Sequence, residues 1–111
     1  MRADIPAIKI SVLDRNSEYI KEITYGIEEE GITYEITEEN FYNIKEKAFE
    51  ISQASRLSVG IAVDKEEAVI HFSKLKIDKP LFILSLDGLE KEKLRIYGSN
   101  AARLIKGIPF K

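Results

Sequence analysis

The chain has 111 residues, of which 44% are hydrophobic and 32% are charged, and its 17 basic and 19 acidic residues give a formal net charge of −2. This length fits one domain over residues 1–111, and the apolar content excludes a disordered chain. The absence of cysteine excludes a disulfide scaffold, a thiolate metal site and a cysteine nucleophile. The nearly balanced charge gives no electrostatic reason to expect nucleic-acid binding.

Neither a membrane span nor a signal peptide is predicted. The apolar runs are too short to cross a bilayer. Residues 1–6 lack the apolar stretch that a signal peptide needs. We therefore expect a cytoplasmic protein with no membrane partner and no nucleic-acid partner.

The first half of the chain predicts two strands that alternate with two helices. A short β-branched run at residues 7–13 predicts a strand, and Ser17 is placed to cap a helix that ends at Gly31. Residues 32–36 alternate as a second strand, and apolar spacing over residues 39–55 predicts a second helix. The predicted buried faces are Ile20, Ile23 and Ile27 in the first helix and Phe41, Ile44, Ala48 and Ile51 in the second.

Three further strands are predicted in the second half. Residues 58–63 form the most apolar stretch, which is typical of a central strand covered on both faces. The polar turn at residues 64–67 is too short for a parallel crossover, so the strand at residues 68–72 should run antiparallel to the one before it. Residues 81–86 predict a fifth strand.

A final helix completes a three-layer α/β/α domain. It is predicted over residues 89–106, with Asp87 and Glu90 spaced as a capping box. The resulting order βαβαβββα predicts a mixed five-stranded sheet between helices, with right-handed crossovers joining the first three strands. The predicted buried face of the last helix consists of Leu94, Tyr97, Ala101 and Leu104.

The residue patterns support no enzyme acting alone. Residues 14–17, between the first strand and helix, contain no glycine, so the chain has neither a dinucleotide fingerprint nor a phosphate-binding loop at that junction. His71 is the single histidine and fits an ordinary strand residue better than a partner contact or a zinc ligand. Asp64 and Glu67 fit a solvated hairpin tip, and there is no nucleophile elbow.

Two local features break the usual rules for helices. Residues 28–30 are three glutamates in the last turn of the first helix, where negative charge opposes the helix dipole. They are either solvated surface or part of a site for a hard cation such as Mg²⁺, with the other ligands supplied by water or another chain.

The second feature is the end of the last helix. Gly98 costs about 1 kcal/mol relative to alanine inside a helix. Together with Ala101 and Ala102 it lets another backbone approach closely, either within the domain or from a partner. Arg103 and Lys106 suit the helix dipole, and the apolar tail at residues 108–110 either folds back or meets a partner.

Five segments carry a family likeness over nearly the whole chain: GIEEEGI at 26–32, VGIA at 59–62, VIHF at 69–72, PLF at 80–82 and NAARLIKGIPF at 100–110. Together they resemble the small subunit of the reactivating factor for adenosylcobalamin-dependent diol and glycerol dehydratases. The medium subunit of the dehydratase is similar but carries an N-terminal extension, which favours the reactivating factor. The resemblance implies the sheet order 2-1-3-4-5 with the fourth strand antiparallel.

The resemblance also implies a chaperone-like, non-catalytic function. The expected partners are a large subunit with an ATPase domain and an inactivated dehydratase, from which damaged cobalamin escapes after subunit exchange. The chain would have no cofactor of its own. It would share Mg²⁺ with the large subunit through Glu29, the middle glutamate of the run. Glu28 and Glu30 are implied as interface neighbours, and Asn100 and Arg103 as further interface residues.

Two alternatives remain open on sequence alone. One is a shortened medium subunit of the dehydratase, part of an enzyme that holds cobalamin. The other is a small-molecule binding domain that uses the crevice at the carboxyl ends of the parallel strands, where the polar residues are Asp14, Arg15, Asn16 and Asp64. The sequence does not distinguish a glycerol from a propanediol system, or free cytoplasm from a bacterial microcompartment. An isolated copy is also a candidate for self-association.

Overall fold

A computed structural model describes residues 5–111, which form five strands and three helices in the predicted order. Among these residues, no helix is both long enough and apolar enough to span a membrane. The strands are β1 (Ile8–Val12), β2 (Tyr34–Glu38), β3 (Val59–Val63), β4 (Glu67–Phe72) and β5 (Phe82–Ser85), and the helices are α1 (Glu18–Glu29), α2 (Ile44–Ala54) and α3 (Lys91–Lys106).

The five strands form one mixed sheet in the order β2-β1-β3-β4-β5. β1 pairs in parallel with β2 and β3, and β4 pairs antiparallel with β3 and β5. This confirms the expected sheet order and the hairpin between β3 and β4. Every residue of β3 is buried, as predicted for the central strand.

The helices cover the sheet from both sides. The larger core cluster contains Ile23 of α1, Leu94 of α3 and alternate residues of β1 and β3. A smaller cluster lies under α2 and includes Ala48. A Cβ atom added to Gly60 would lie 2.5 Å from the main-chain oxygen of Ala48, so α2 packs directly against the backbone of β3. The three-layer prediction is confirmed.

Helices α1 and α3 touch through their glycines. A Cβ atom added to Gly98 would lie 2.1 Å from the main-chain oxygen of Ile23, and one added to Gly26 would lie 2.0 Å from that of Arg95. The backbone that approaches the small residues of α3 is therefore α1 of the same chain. This contact brings the carboxyl end of α1 alongside the second half of α3.

His71 is a core residue of β4. Its side chain is fully buried, its Nε2 atom lies 3.1 Å from the main-chain oxygen of Ile77, and its ring meets the ring of Phe49 edge to face. The main-chain N–H of Phe72 donates to Nδ1 at 3.0 Å, which leaves Nε2 as the donor. The strand interpretation of His71 is confirmed.

The ends of α1 agree with the prediction, whereas β2 begins later. Ser17 accepts a hydrogen bond from the Tyr19 N–H, and Gly31 follows the helix with a φ of +74°. The N–H of Ile32 still donates to the main-chain oxygen of Ile27, which keeps Ile32 in the helix termination. β2 therefore starts at Tyr34 rather than residue 32.

Two other helix starts differ from the prediction. α2 begins at Ile44 rather than residue 39, because the Asn43 side chain accepts from the Glu46 N–H and caps the helix there. The capping box of Asp87 and Glu90 is wrong. Gly88, with a φ of +70°, places Asp87 in a preceding turn, and Glu90 caps α3 without a side-chain hydrogen bond.

Candidate functional site

The two irregular segments of the sequence lie together in the structure. The glutamates of residues 28–30 end α1, and residues 99–111 run beside them along the end of α3. Their side chains form one group, here called the α1–α3 charge cluster, which consists of Glu29, Glu30, Arg95, Ser99, Asn100, Arg103, Lys106 and Lys111.

Glu30 is the centre of the α1–α3 charge cluster. Its side chain is only 8% exposed. Oε2 accepts from the Ser99 hydroxyl at 2.7 Å and from Arg103 Nε at 3.1 Å, and Lys106 Nζ donates to Oε1 at 3.0 Å. The hydrogen bonds from Ser99, Lys106 and Arg103 lower the pKa of the Glu30 carboxyl from 4.5 to about 2. Glu30 therefore stays ionised and ties α1 to α3.

Residues 107–111 fold back along α3. The Lys111 N–H donates to Asn100 Oδ1 at 2.7 Å, and Arg103 donates to the main-chain oxygen of Pro109 at 3.0 Å. The Phe110 ring lies 5.5 Å from the Phe82 ring. Of the two options for the tail, the structure shows the intramolecular one. Asn100 and Arg103 are thus engaged within the chain, and their assignment to a partner interface stays a prediction.

The three glutamates have different surroundings. Glu28 accepts from the Tyr34 hydroxyl at 2.7 Å, and this bond raises the pKa of the Tyr34 phenol. Glu29 is 44% exposed, and within residues 5–111 its ion pairs are long, 3.6 Å to Arg95 Nε and 3.5 Å to Lys111 Nζ. Glu28 and Glu30 thus accept short side-chain hydrogen bonds, whereas Glu29 is exposed and is held by longer ion pairs.

The described residues supply at most part of a metal site. Within residues 5–111 there is no group of three or more His, Cys, Asp or Glu side chains that could hold a metal ion. Glu29 offers one exposed carboxylate, which suits one position in the shell of a hard cation. Among the described residues, the donor set is therefore one carboxylate and not a complete shell.

Arg95, which forms an ion pair with Glu29, is itself held in place by neighbouring side chains. Its guanidinium is 2.9 Å from Glu22 and lies over the Tyr25 ring, 5.6 Å from the centroid. Tyr25 is 45% exposed. Aromatic and arginine side chains are enriched at protein interfaces. The outer surface of α1 and α3 around Glu29 therefore has the composition of a docking surface.

The crevice at the carboxyl ends of β1 and β3 is also present. It encloses about 400 Å³ and is lined mainly by apolar atoms, including those of Val12, Val63 and Tyr19. Its polar residues serve local turns: Asp14 accepts from the Asn16 N–H, and Asp64 accepts from two N–H groups of the hairpin. In the described part of the chain, every buried side-chain nitrogen or oxygen has a hydrogen-bond partner. Asp14 and Asp64 of the crevice are therefore engaged within the chain.

Sequence reasoning overlooked the positive half of the α1–α3 charge cluster. Arg95 and Lys111 were not singled out, and Lys106 was explained by the helix dipole alone. A signal did exist, because Ser99, Arg103 and Lys106 follow the spacing i, i+4, i+7 and so share one face of α3. The partner of that face could not be identified before α1 was known to lie against it.

Comparison with known proteins places the chain in a family. A sequence model of the dehydratase medium subunit family matches residues 5–111. The diol dehydratase-reactivating factor small subunit of Klebsiella michiganensis is 39% identical over 106 residues, which cover 96% of this chain and 84% of that protein. The propanediol dehydratase-reactivating factor small subunit of Salmonella typhimurium is 39% identical over 96% of this chain and 90% of that protein.

Two solved structures are similar to this chain. A chain from the diol dehydratase-reactivating factor complexed with ADP and Mg²⁺ is 38% identical, with a TM-score of 0.90, and the match covers 97% of this chain and 99% of that one. A glycerol dehydratase reactivase chain at 23% identity and a TM-score of 0.87 covers 96% and 97%, which supports the fold.

These relatives favour the reactivating factor over the dehydratase itself. Both curated relatives are small subunits of reactivating factors, which is consistent with a non-catalytic subunit and implies a larger partner subunit. The chain belongs to the dehydratase medium subunit family and groups within it with the small subunits of dehydratase-reactivating factors.

Proposed function

We propose that the chain binds a larger ATPase subunit and takes part in subunit exchange with an inactivated cobalamin-dependent diol or glycerol dehydratase, so that damaged cobalamin is released. The names of the relatives at 39% identity support this function. The solved relative is complexed with ADP and Mg²⁺. Because the β1–α1 junction of this chain has no glycine-rich loop, we place the nucleotide on the larger subunit.

The surface proposed for the larger subunit is the outer face of α1 and α3 around Glu29. The observation that carries this assignment is the contrast within residues 28–30. Glu28 and Glu30 are held by hydrogen bonds of 2.7 Å, whereas the nearest cations to Glu29 are 3.5 and 3.6 Å away. Long, partly exposed ion pairs are worth little, so a partner can replace them at small cost.

A divalent cation such as Mg²⁺ fits this surface as a shared ligand. Bound there, it would join the Glu29 carboxylate to oxygen ligands of the larger subunit. Arg95 and Lys111 would hold the Glu29 side chain near α3 until the partner arrives. Arg95 is itself fixed by Glu22 at 2.9 Å, so this orientation is prepared before binding.

The test is the affinity of the chain for a reactivase large subunit, with and without a metal chelator. Glu29→Ala and Glu29→Gln should weaken the complex at least about tenfold, the loss expected when one partner of a desolvated charge pair is removed. The chelator should weaken the wild-type complex to a similar degree and have little further effect on Glu29→Gln.

The matched control is Glu66→Gln, which removes the same charge from the exposed β3–β4 hairpin. It should bind as tightly as the wild type. Equal affinities for Glu29→Gln and the wild type, together with no response to the chelator, would show that Glu29 does not hold a shared cation.

A further inference from the structure

β5 is a four-residue edge strand whose side chains carry no charge. It is the last strand of the sheet, and no other segment of residues 5–111 pairs with its outer side. Natural edges are commonly protected by charged side chains, proline or bulges. The opposite edge, β2, has two glutamates, Glu35 and Glu38, whereas the β5 sequence Phe-Ile-Leu-Ser is uncharged. The two edges of this sheet therefore differ in their capacity to accept another strand.

The pairing pattern shows which groups of β5 face outward. The Leu86 N–H donates to the main-chain oxygen of Glu66. In the same register Leu84 and Phe82 follow, each two residues further along β5, and Phe82 is paired with Ile70. In an antiparallel pair, alternate residues bond to the neighbour. The backbone groups of Ile83 and Ser85 thus point away from β4. The Ile83 side chain is 48% exposed.

A groove runs beside this edge, between β5 and α3. It encloses about 410 Å³, and its apolar walls are formed by Phe82, Ile96, Tyr97 and Phe110. The Phe82 ring contacts both Tyr97 and Phe110, with centroids 5.2 and 5.5 Å apart. A strand added to β5 would direct alternate side chains into this groove.

The charged residues that line the groove indicate which side chains an added strand would carry. The groove lining includes the side chains of Lys93 and Lys111 and no Asp or Glu residue. Lys111 already lies 3.5 Å from Glu29 and 3.8 Å from Glu30, so Lys93 is the more available cation. A second copy of β5 would bring no acid to these lysines, because Phe82–Ser85 carries no charge.

We propose that the β5 edge and the β5–α3 groove bind an extended acidic segment of a partner protein, which adds a sixth strand and places an apolar side chain against Phe82 and Tyr97. This groove borders the α1–α3 charge cluster through Asn100 and Lys111 but does not include Glu29. Main-chain hydrogen bonds to Ile83 and Ser85 would supply affinity, and the aromatic walls with Lys93 would supply selectivity. The β5–α3 groove would give the chain a second binding surface, in addition to the one around Glu29.

The test uses the full chain and a synthetic peptide of about eight alternating glutamate and valine residues, long enough to form one strand. Amide shifts and hydrogen exchange are followed by NMR. Binding should slow the exchange of the Ile83 and Ser85 amides and shift the signals of Lys93 and Tyr97. A peptide of alternating lysine and valine should bind at least about fivefold more weakly, since like charges meet at the groove.

Two charge-reversal variants make the test specific. Lys93→Glu should weaken binding of the acidic peptide about tenfold, whereas Lys45→Glu, the same change on the exposed surface of α2, should not alter it. Neither lysine has a side-chain contact that the fold depends on in the described structure, so both variants should fold.

Three results would overturn the proposal. One is the absence of binding, and another is equal binding of the two peptides. The third is protection of Ile83 and Ser85 that rises with protein concentration without peptide, which would identify a second copy as the occupant of the edge.

Discussion

Gly98→Ala should destabilise the protein, although alanine is the better helix former. Helix propensity alone predicts a gain of about 1 kcal/mol for this change inside α3. The added Cβ atom, however, would lie 2.1 Å from the main-chain oxygen of Ile23. An ordinary carbon–oxygen contact needs about 3.3 Å, so α1 and α3 would have to separate by about 1 Å along their contact. Overpacking of this kind costs about 1–3 kcal/mol.

The clash is with backbone, which cannot rotate away, so we expect a cost at the upper end of that range, about 3 kcal/mol. Less the gain of about 1 kcal/mol in helix propensity, the net loss is about 2 kcal/mol. For a domain of this size that corresponds to a fall in Tm of about 8 °C. Thermal and urea unfolding of Gly98→Ala and the wild type measure it, and Lys93→Ala on the exposed side of α3 serves as the control. A Gly98→Ala protein as stable as the wild type, or more stable, would refute the proposed backbone contact between α1 and α3.

Three further predictions concern hydrogen bonds and backbone conformation. The Glu30 pKa is lowered from 4.5 to about 2 in the folded state, so its stabilising effect is complete above pH 4.5 and is lost as the pH falls towards 2. Glu30→Gln should therefore flatten the dependence of the unfolding free energy on pH in that window. Urea unfolding at several pH values measures this free energy, and the same pH dependence in the variant and the wild type would contradict the prediction. Gly31→Ala should cost about 1 kcal/mol through strain alone, because Gly31 has a φ of +74° and no atom lies within 4 Å of the added Cβ; an unchanged Tm would exclude that cause. Lys47→Ala should raise the pKa of the Glu39 carboxyl, because the hydrogen bond from Lys47 lowers it. NMR of the carboxyl group measures this pKa, and the same value in the variant and the wild type would show that the bond does not form in solution.

The sequence predicted the fold well because its apolar periods and turns agree with one another. The isoleucines of α1 all reach the core, and the short turn after β3 gives the hairpin. The errors lie at the ends of helices and strands, because contacts between residues far apart in the sequence determine where these elements begin and end. Glu39 was assigned to α2, but its carboxylate accepts from the buried Ser11 hydroxyl at 2.7 Å and from Lys47 at 2.8 Å. That tertiary contact holds the segment before α2 outside the helix.

The sequence drew attention to part of the candidate site but not to the contacts within it. The glutamates and the end of α3 were recognised as unusual, yet nothing local shows that Glu30 and Arg103 pair across the domain. Their separation of 73 positions makes the pairing visible only in three dimensions. The structure thereby separates an internal role for Glu30 from the exposed position of Glu29, a distinction that three identical side chains in a row conceal.

The resemblance placed the fifth strand at an edge of the sheet, but the residues themselves gave no sign of this or of the groove beside it. An uncharged four-residue strand looks like an interior strand until its place in the sheet is known. The apolar tail was noticed, but its contact with Phe82, which forms one wall of the groove, depends on the fold of residues 107–111 along α3.

The most direct test of the proposed function is co-expression of the chain with a reactivase large subunit and, separately, with a dehydratase large subunit, followed by size exclusion. We predict a stable complex with the reactivase subunit that loosens when ATP and inactivated dehydratase are added. A firm complex with the dehydratase large subunit, and none with the reactivase subunit, would contradict the proposal and make the chain a part of the enzyme.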